Sequence, residues 1–168
     1  MEPKTQVKNI RGIYIVIMTL HNDTFIQARK RKWQLRTGTY LYFGSARGQT
    51  STSLNHRIAR HVRQSKKCFW HIDYLTTSPC IEIVDIWYTF DPDVTECSLL
   101  RRIYGDLTFG VIINGFGSSD CPNKCQGHLL FLPSEVLFSL NRRFSSSGLQ
   151  QWDRKPPRDE SSSLGYHR

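Results

Sequence analysis

The sequence predicts an α+β fold followed by a polar tail, and three observations lead there. Strand-length runs of β-branched and aromatic residues mix with segments of helical apolar spacing, without regular βαβ alternation. The length of 168 residues suits one domain with one core. From Ser145 onward the composition turns to serine, Pro156-Pro157 and mixed charge, with Leu149 and Leu164 the only aliphatic residues. Such a segment cannot bury enough apolar surface to offset its ordering entropy. The expected boundaries are a folded domain over 10–144 and a disordered tail over 145–168.

Each element has a local reason. Residues 1–10 are polar and read as a lead-in. Ile13–Met18 is an unbroken β-branched and aromatic run, the pattern of a largely buried strand. Thr24–Ala28 reads as a short strand after a His21-Asn22-Asp23 turn, and Arg29–Lys32 as a solvated basic turn. Gly38–Phe43 is a further strand, ending in a turn at Gly44-Ser45-Ala46. Ser51-Thr52-Ser53 offers a cap for a helix over Leu54–Gln64. His71–Leu75 is ambiguous. Ile81–Phe90 reads as a strand, Asp91-Pro92-Asp93 as a break, and Val94–Tyr104 as a second helix. Gly110–Gly117 is a short apolar piece entering a glycine-rich loop, His128–Leu132 the last strand, and Ser134–Phe144 a closing helix.

The formal charge of +9 favours a polyanionic partner, because lysines and arginines that neutralise phosphates release condensed counterions. The five cysteines are odd in number and irregularly spaced, unlike a secreted disulfide framework. No signal peptide is visible, and the apolar stretch Ile13–Leu20 is too short to span a bilayer. A soluble, reducing, cytoplasmic setting without a membrane partner is expected.

On the first helix Leu54, Ile58 and Val62 mark the apolar face, and Arg57 and His61 fall in the same arc. His56, Arg60 and Arg63 point the other way, as a solvated or phosphate-tracking surface. An inward arginine is costly without a partner, unless it snorkels at the edge. On the second helix Glu96 shares the stripe of Leu99, Leu100 and Ile103. It can anchor a divalent ion, or close an Asp93-x-x-Glu96 capping box. Tyr14 and Tyr42 are ordinary strand residues unless their strands pair with matching faces. A phenol serves as a base only where a nearby cation favours phenolate. Cys121, Cys125 and His128 have loose zinc-ligand spacing without a clear fourth donor, free loop thiols being the alternative. His71 and Asp73 would share a face if they lay on a strand, and would line a common cleft.

Taken together, these residues resemble the GIY-YIG nuclease superfamily. Gly12-Ile13-Tyr14 and Tyr42-Phe43-Gly44 match its two tripeptides, and Leu54–Ile58 its arginine-bearing helix motif, with His61 four residues beyond Arg57. Glu96 takes the place of its single metal-binding glutamate. The chain is most similar to a mostly archaeal branch sometimes joined to a base-excision endonuclease. That likeness rests on Tyr40–Ala46, Arg57–His61, Lys66-Lys67, Trp70–Leu75, Glu96-Cys97, Gly115–Cys121 and His128. It covers about residues 10–133.

The resemblance implies a mostly antiparallel sheet flanked by helices, with a site on one sheet face. It implies metal-dependent cleavage of DNA, RNA being the alternative substrate, in a repair or processing setting. Glu96 would hold one Mg²⁺ or Mn²⁺, Arg57 the scissile phosphate, and Tyr14 or Tyr42 the attacking water. His61 would transfer a proton or orient a tyrosine. Arg60, Arg63, Lys66, Lys67 and His71 are the further nucleic-acid-binding candidates. Two other readings stand beside it. One is a non-catalytic nucleic-acid-binding module, favoured by Ser45, where many members carry lysine. The other is a zinc-stabilised interaction domain.

Overall fold

The computed structural model describes residues 11–48, 50–105, 110–133 and 137–153. Its centre is β1 (Gly12–Leu20), which pairs antiparallel with β4 (Gly38–Ala46) on one side and β5 (Ile81–Thr89) on the other. β7 (Leu129–Leu132) and β6 (Val111–Ile112) extend the sheet beyond β4, and β8 (Gln150–Gln151) closes the opposite edge on β5. The sheet order is β6-β7-β4-β1-β5-β8, antiparallel at every junction. β2 (Thr24–Ala28) and β3 (Arg31–Leu35) form a separate hairpin.

The sheet separates two apolar layers. Tyr14, Val16, Met18 and Leu20 face the β2–β3 hairpin, α1 (Leu54–Val62) and α2 (His71–Thr76). Ile13, Ile15 and Ile17 face α3 (Glu96–Gly105) and α4 (Leu137–Ser146). A strand covered on both faces must be apolar at every position, which accounts for the unbroken run in β1. The α+β, mostly antiparallel architecture expected from the sequence is therefore the fold. Among the described residues, no helix is long and apolar enough to cross a membrane.

Several local expectations change. Arg31 and Lys32 belong to strand β3, where alternate residues Trp33 and Leu35 turn inward. β4 runs through Gly44–Ala46 without turning, because β1 pairs with it as far as Gly12 opposite Ala46. His71–Thr76 is a helix, so His71 and Asp73 do not share a strand face. The tail expected from Ser145 does not begin there. α4 continues to Ser146, Leu149 is buried, and the Trp152 N–H donates to the Ile86 carbonyl at 2.8 Å. Leu149 and Trp152 suffice because the sheet edge supplies the hydrogen bonds. The expected lead-in 1–10, the start of the closing helix at 134–136 and the remaining tail 154–168 lie outside the described residues.

The register sets the site. Tyr14 lies opposite Gly44, and Val16 opposite Tyr42. Both tyrosines therefore stand on one face as diagonal neighbours. A Cβ on Gly44 would come within 2.5 Å of the Tyr14 hydroxyl, so the glycine makes room for the ring. Gly44→Ala is expected to lower stability by about 1–3 kcal/mol in urea denaturation, as overpacking in a closed core does. Gly105→Ala, at the end of α3 with nothing among the described residues within 4 Å of the added Cβ, is the control. It is expected to be neutral or to add up to about 1 kcal/mol.

Candidate active site

The pairing of β4 with β7 ends at Tyr42 opposite Leu129, and one further bond joins the Phe43 N–H to the His128 carbonyl at 2.9 Å. Beyond it, the β4 edge at Gly44 and Ser45 borders a cleft of about 600 Å³. Arg57 reaches this cleft from α1 on one layer, and Thr95 and Glu96 reach it from the start of α3 on the other. The cleft thus sits at a sheet edge where both layers meet, rather than on one sheet face.

Arg57 is held by stacking, its guanidinium carbon 4.6 Å from the centre of the Trp70 ring. Its Nε is buried and has no hydrogen-bond partner among the described residues. Glu96 takes no part in capping. The cap of α3 is a reciprocal pair in which the Thr95 N–H donates to Ser98 Oγ at 2.9 Å and the Ser98 N–H to Thr95 Oγ1 at 3.1 Å. This replaces the expected Asp93–Glu96 box. It leaves the Glu96 carboxylate without a hydrogen bond or ion pair among the described residues.

Behind the cleft wall, the Tyr14 hydroxyl lies 2.7 Å from His61 Nε2. The His61 ring also packs against Tyr14 and Tyr42, with centroids 5.4 and 5.9 Å apart. Tyr42 lines the cleft. Tyr14 is wholly buried beneath Gly44. Burial pushes the Tyr14 phenol well above its ordinary value, and the Arg57 guanidinium offsets this only in part. Burial, and then Tyr14 itself, raises Tyr42 likewise. Burial, reinforced by the Lys66 charge, lowers the His61 imidazole to about 3. His61 is therefore neutral near pH 7. It does not titrate near the ordinary imidazole value, so of the two expected roles its geometry supports orienting a tyrosine.

The remaining basic candidates divide. Asp73, fully buried, accepts hydrogen bonds on Oδ2 from Arg60 at 2.7 Å and from the Phe69 and Trp70 N–H groups at 2.9 Å. Lys66 Nζ stands 3.8 Å from Asp73 Oδ1 and donates to Thr76 Oγ1 and to the Arg60 and His61 carbonyls. Burial pulls Lys66 down to about 8, with Asp73 opposing. Arg60 and Lys66 therefore serve an internal carboxylate and are not free to track phosphates. Arg63 and Lys67 are exposed but do not line the cleft. His71 does line it, and its Nδ1 accepts the Gly117 N–H at 2.9 Å, an arrangement that pins the loop.

The cleft is also lined by residues the sequence reading did not place there: Arg29, Arg47 and Asp120. They come from separate loops, and no spacing rule links them. Cys97 is another. It follows Glu96 on α3, and its Sγ lies 3.3 Å from Cys121 Sγ, 2.8 Å from Cys125 Sγ and 3.7 Å from His128 Nε2. These four donor atoms all lie within 4.8 Å of one another. Cys97 is the donor missing from the expected Cys121, Cys125 and His128 set. Its proximity to Glu96 was the available signal.

Residues 13–148 match the family described as Domain of unknown function DUF123, and the chain belongs to that family. No curated protein and no solved structure matches the chain.

Two buried groups make the fold acid-sensitive. His61 has a folded pKa below its unfolded value, so its contribution is complete above about 6.5 and is lost as pH falls toward 3. For Asp73, burial raises the carboxyl, but the bonds from Arg60, Trp70 and Phe69 outweigh it and leave the pKa lowered. Its contribution is present above its unfolded value of 3.8 and lost below. Urea stability is expected to fall on going from pH 7 to pH 5, at no more than about 1.4 kcal/mol per unit from His61. A His61→Phe variant should show a shallower fall. At pH 7, Asp73→Ala is expected to cost about 3–5 kcal/mol, because it strands Arg60 and Lys66.

Proposed function

We propose that this chain is a divalent-metal-dependent endonuclease that hydrolyses DNA phosphodiester bonds, on a scaffold akin to the GIY-YIG nucleases. The observation that carries the reading is the convergence of Tyr42, Arg57 and Glu96 on one cleft from three elements. The formal charge of +9 supports a polyanionic substrate.

A hard divalent ion needs few protein ligands, since water and substrate oxygens complete its shell. The Glu96 carboxylate, free of cap and ion pair among the described residues, fits Mg²⁺ or Mn²⁺. Bound there, the ion would supply charge neutralisation at the phosphate and leaving oxygens. Arg57 holds the scissile phosphate. Stacking on Trp70 fixes the plane of its guanidinium, so little side-chain entropy is lost on binding. Tyr42 orients the attacking water from the cleft wall. Tyr14 acts one shell back as a positioning residue, its hydroxyl hydrogen-bonded to the neutral His61 Nε2 at 2.7 Å.

The test is cleavage of plasmid, single-stranded and branched DNA, with RNA as a parallel substrate, in Mg²⁺ or Mn²⁺. Glu96→Ala and Arg57→Ala are each expected to lower the rate by about 10²-fold or more. Variants that cut as well as the parent would overturn the reading. With neutral His61, the rate should rise with pH through neutrality without an inflection near 6.5. The second reading, a binding module without catalysis, is favoured by Ser45, which lines the cleft in place of a lysine. It predicts salt-sensitive DNA binding that needs no divalent ion and survives Glu96→Ala.

A further inference from the structure

Residues 113–128, between β6 and β7, form no helix or strand, and across the segment the Gly115 N–H donates to the Gln126 carbonyl at 2.6 Å and the His128 N–H to the Phe116 carbonyl at 2.7 Å. A connection of this length without regular structure needs something to hold it. The hairpin supplies part of that support. Trp33 Nε1 donates to the Asn114 carbonyl at 2.8 Å and Arg31 to the Gly115 carbonyl at 3.1 Å. Phe116 is buried against Trp33, with ring centroids 5.0 Å apart.

The segment after Gly117 has no such apolar anchor. Its tip is a tight turn, with the Cys121 N–H bonded to Ser118 and the Lys124 N–H to Cys121. Lys124 is left-handed at φ 50°, a conformation costly for a residue with a Cβ and kept only where the surroundings enforce it. This turn directs Cys121 and Cys125 to the same point, where Cys97 arrives from α3 and His128 from the start of β7.

We infer that Cys97, Cys121, Cys125 and His128 form a closed structural zinc site, which ties the 118–128 turn to the first turn of α3 and so holds Glu96 against the cleft. This goes beyond the proposed hydrolysis and does not depend on it. Three thiolates and one imidazole make a complete tetrahedral set with no open position, the mark of a structural rather than a catalytic site. The donors are too soft for Mg²⁺ or Mn²⁺, which take oxygen. Zn–S bonds of about 2.3 Å set S···S edges of about 3.8 Å in a tetrahedron. The observed separations of 2.8 and 3.3 Å between sulfurs and 3.7 Å from sulfur to nitrogen approach that size. The 2.8 Å pair is far from a disulfide bond of about 2.05 Å, and a disulfide would leave the third thiol and the imidazole unused.

Metal content of the full chain, purified under reducing conditions from zinc-supplemented medium, tests the site. About one zinc per chain is expected in the parent, falling below about one tenth in Cys97→Ser and Cys125→Ser. Glu96→Ala should keep its zinc, so loss of cleavage and loss of zinc are separable. Co²⁺ replacing zinc should show the visible absorption of a tetrahedral thiolate complex, and a strong chelator should lower the melting temperature of the parent and of Glu96→Ala but not of Cys97→Ser or Cys125→Ser. If Cys97→Ser does not fold, Cys121→Ser in the loop and the parent's own metal content still decide. A parent with no zinc, one carrying iron instead, one with a Cys97–Cys125 disulfide by mass spectrometry, or a Cys97→Ser protein that binds zinc as well as the parent would each overturn the assignment.

Discussion

The antiparallel register of β1 on β4 is the constraint on which the rest of the molecule depends. Nine consecutive pairs, from Gly12 opposite Ala46 to Leu20 opposite Gly38, fix which side chains meet. A slip of one residue would move every side chain of β1 to the other layer. Tyr14 would then face α3 and α4, and Ile13 would enter the space now shared with His61. The apolar load on both faces makes such a slip costly, so a purely hydrophobic requirement also aligns two tyrosines, a histidine and an arginine.

A second constraint is the buried carboxylate of Asp73. It terminates the first turn of α2, binds Arg60 across from α1 and draws in Lys66. The linkage joins the two helices by charge. Trp70, at the cap of α2, is thereby brought over both Arg57 and Arg60. The arginine that reaches the cleft is positioned by a tryptophan, which is itself positioned by a carboxylate outside the cleft.

The wall carrying Glu96 is arranged differently. Leu99, Leu100 and Ile103 seat α3 on the sheet, but its first residues overhang the edge. There the adjacent pair Glu96 and Cys97 point to different chemistry. One is a hard oxygen donor facing the cleft, and the other a soft sulfur donor facing the loop that closes it. Two neighbouring positions thus divide between a surface that could engage a substrate-bound ion and a strut that could hold that surface in place.

The sequence by itself determined the α+β class, the largely buried strand over Ile13–Met18 and the two amphipathic helices, because burial imposes a local periodicity. It also singled out Arg57, His61 and Glu96, since polar residues on apolar stripes stand out against that periodicity. Only the tertiary structure decided what each of them meets. β3 was hidden because Arg29–Lys32 carries no apolar residue, and its inward positions begin at Trp33. β8 was hidden because two glutamines gain their strand character from the edge of β5. Arg60 and Lys66 read as surface cations until Asp73 was found beneath them, and Cys97 stood alone until the chain returned from more than twenty residues away. Periodicity reports which face of an element is buried. Which groups share that buried space depends on long-range pairing, which no local pattern encodes.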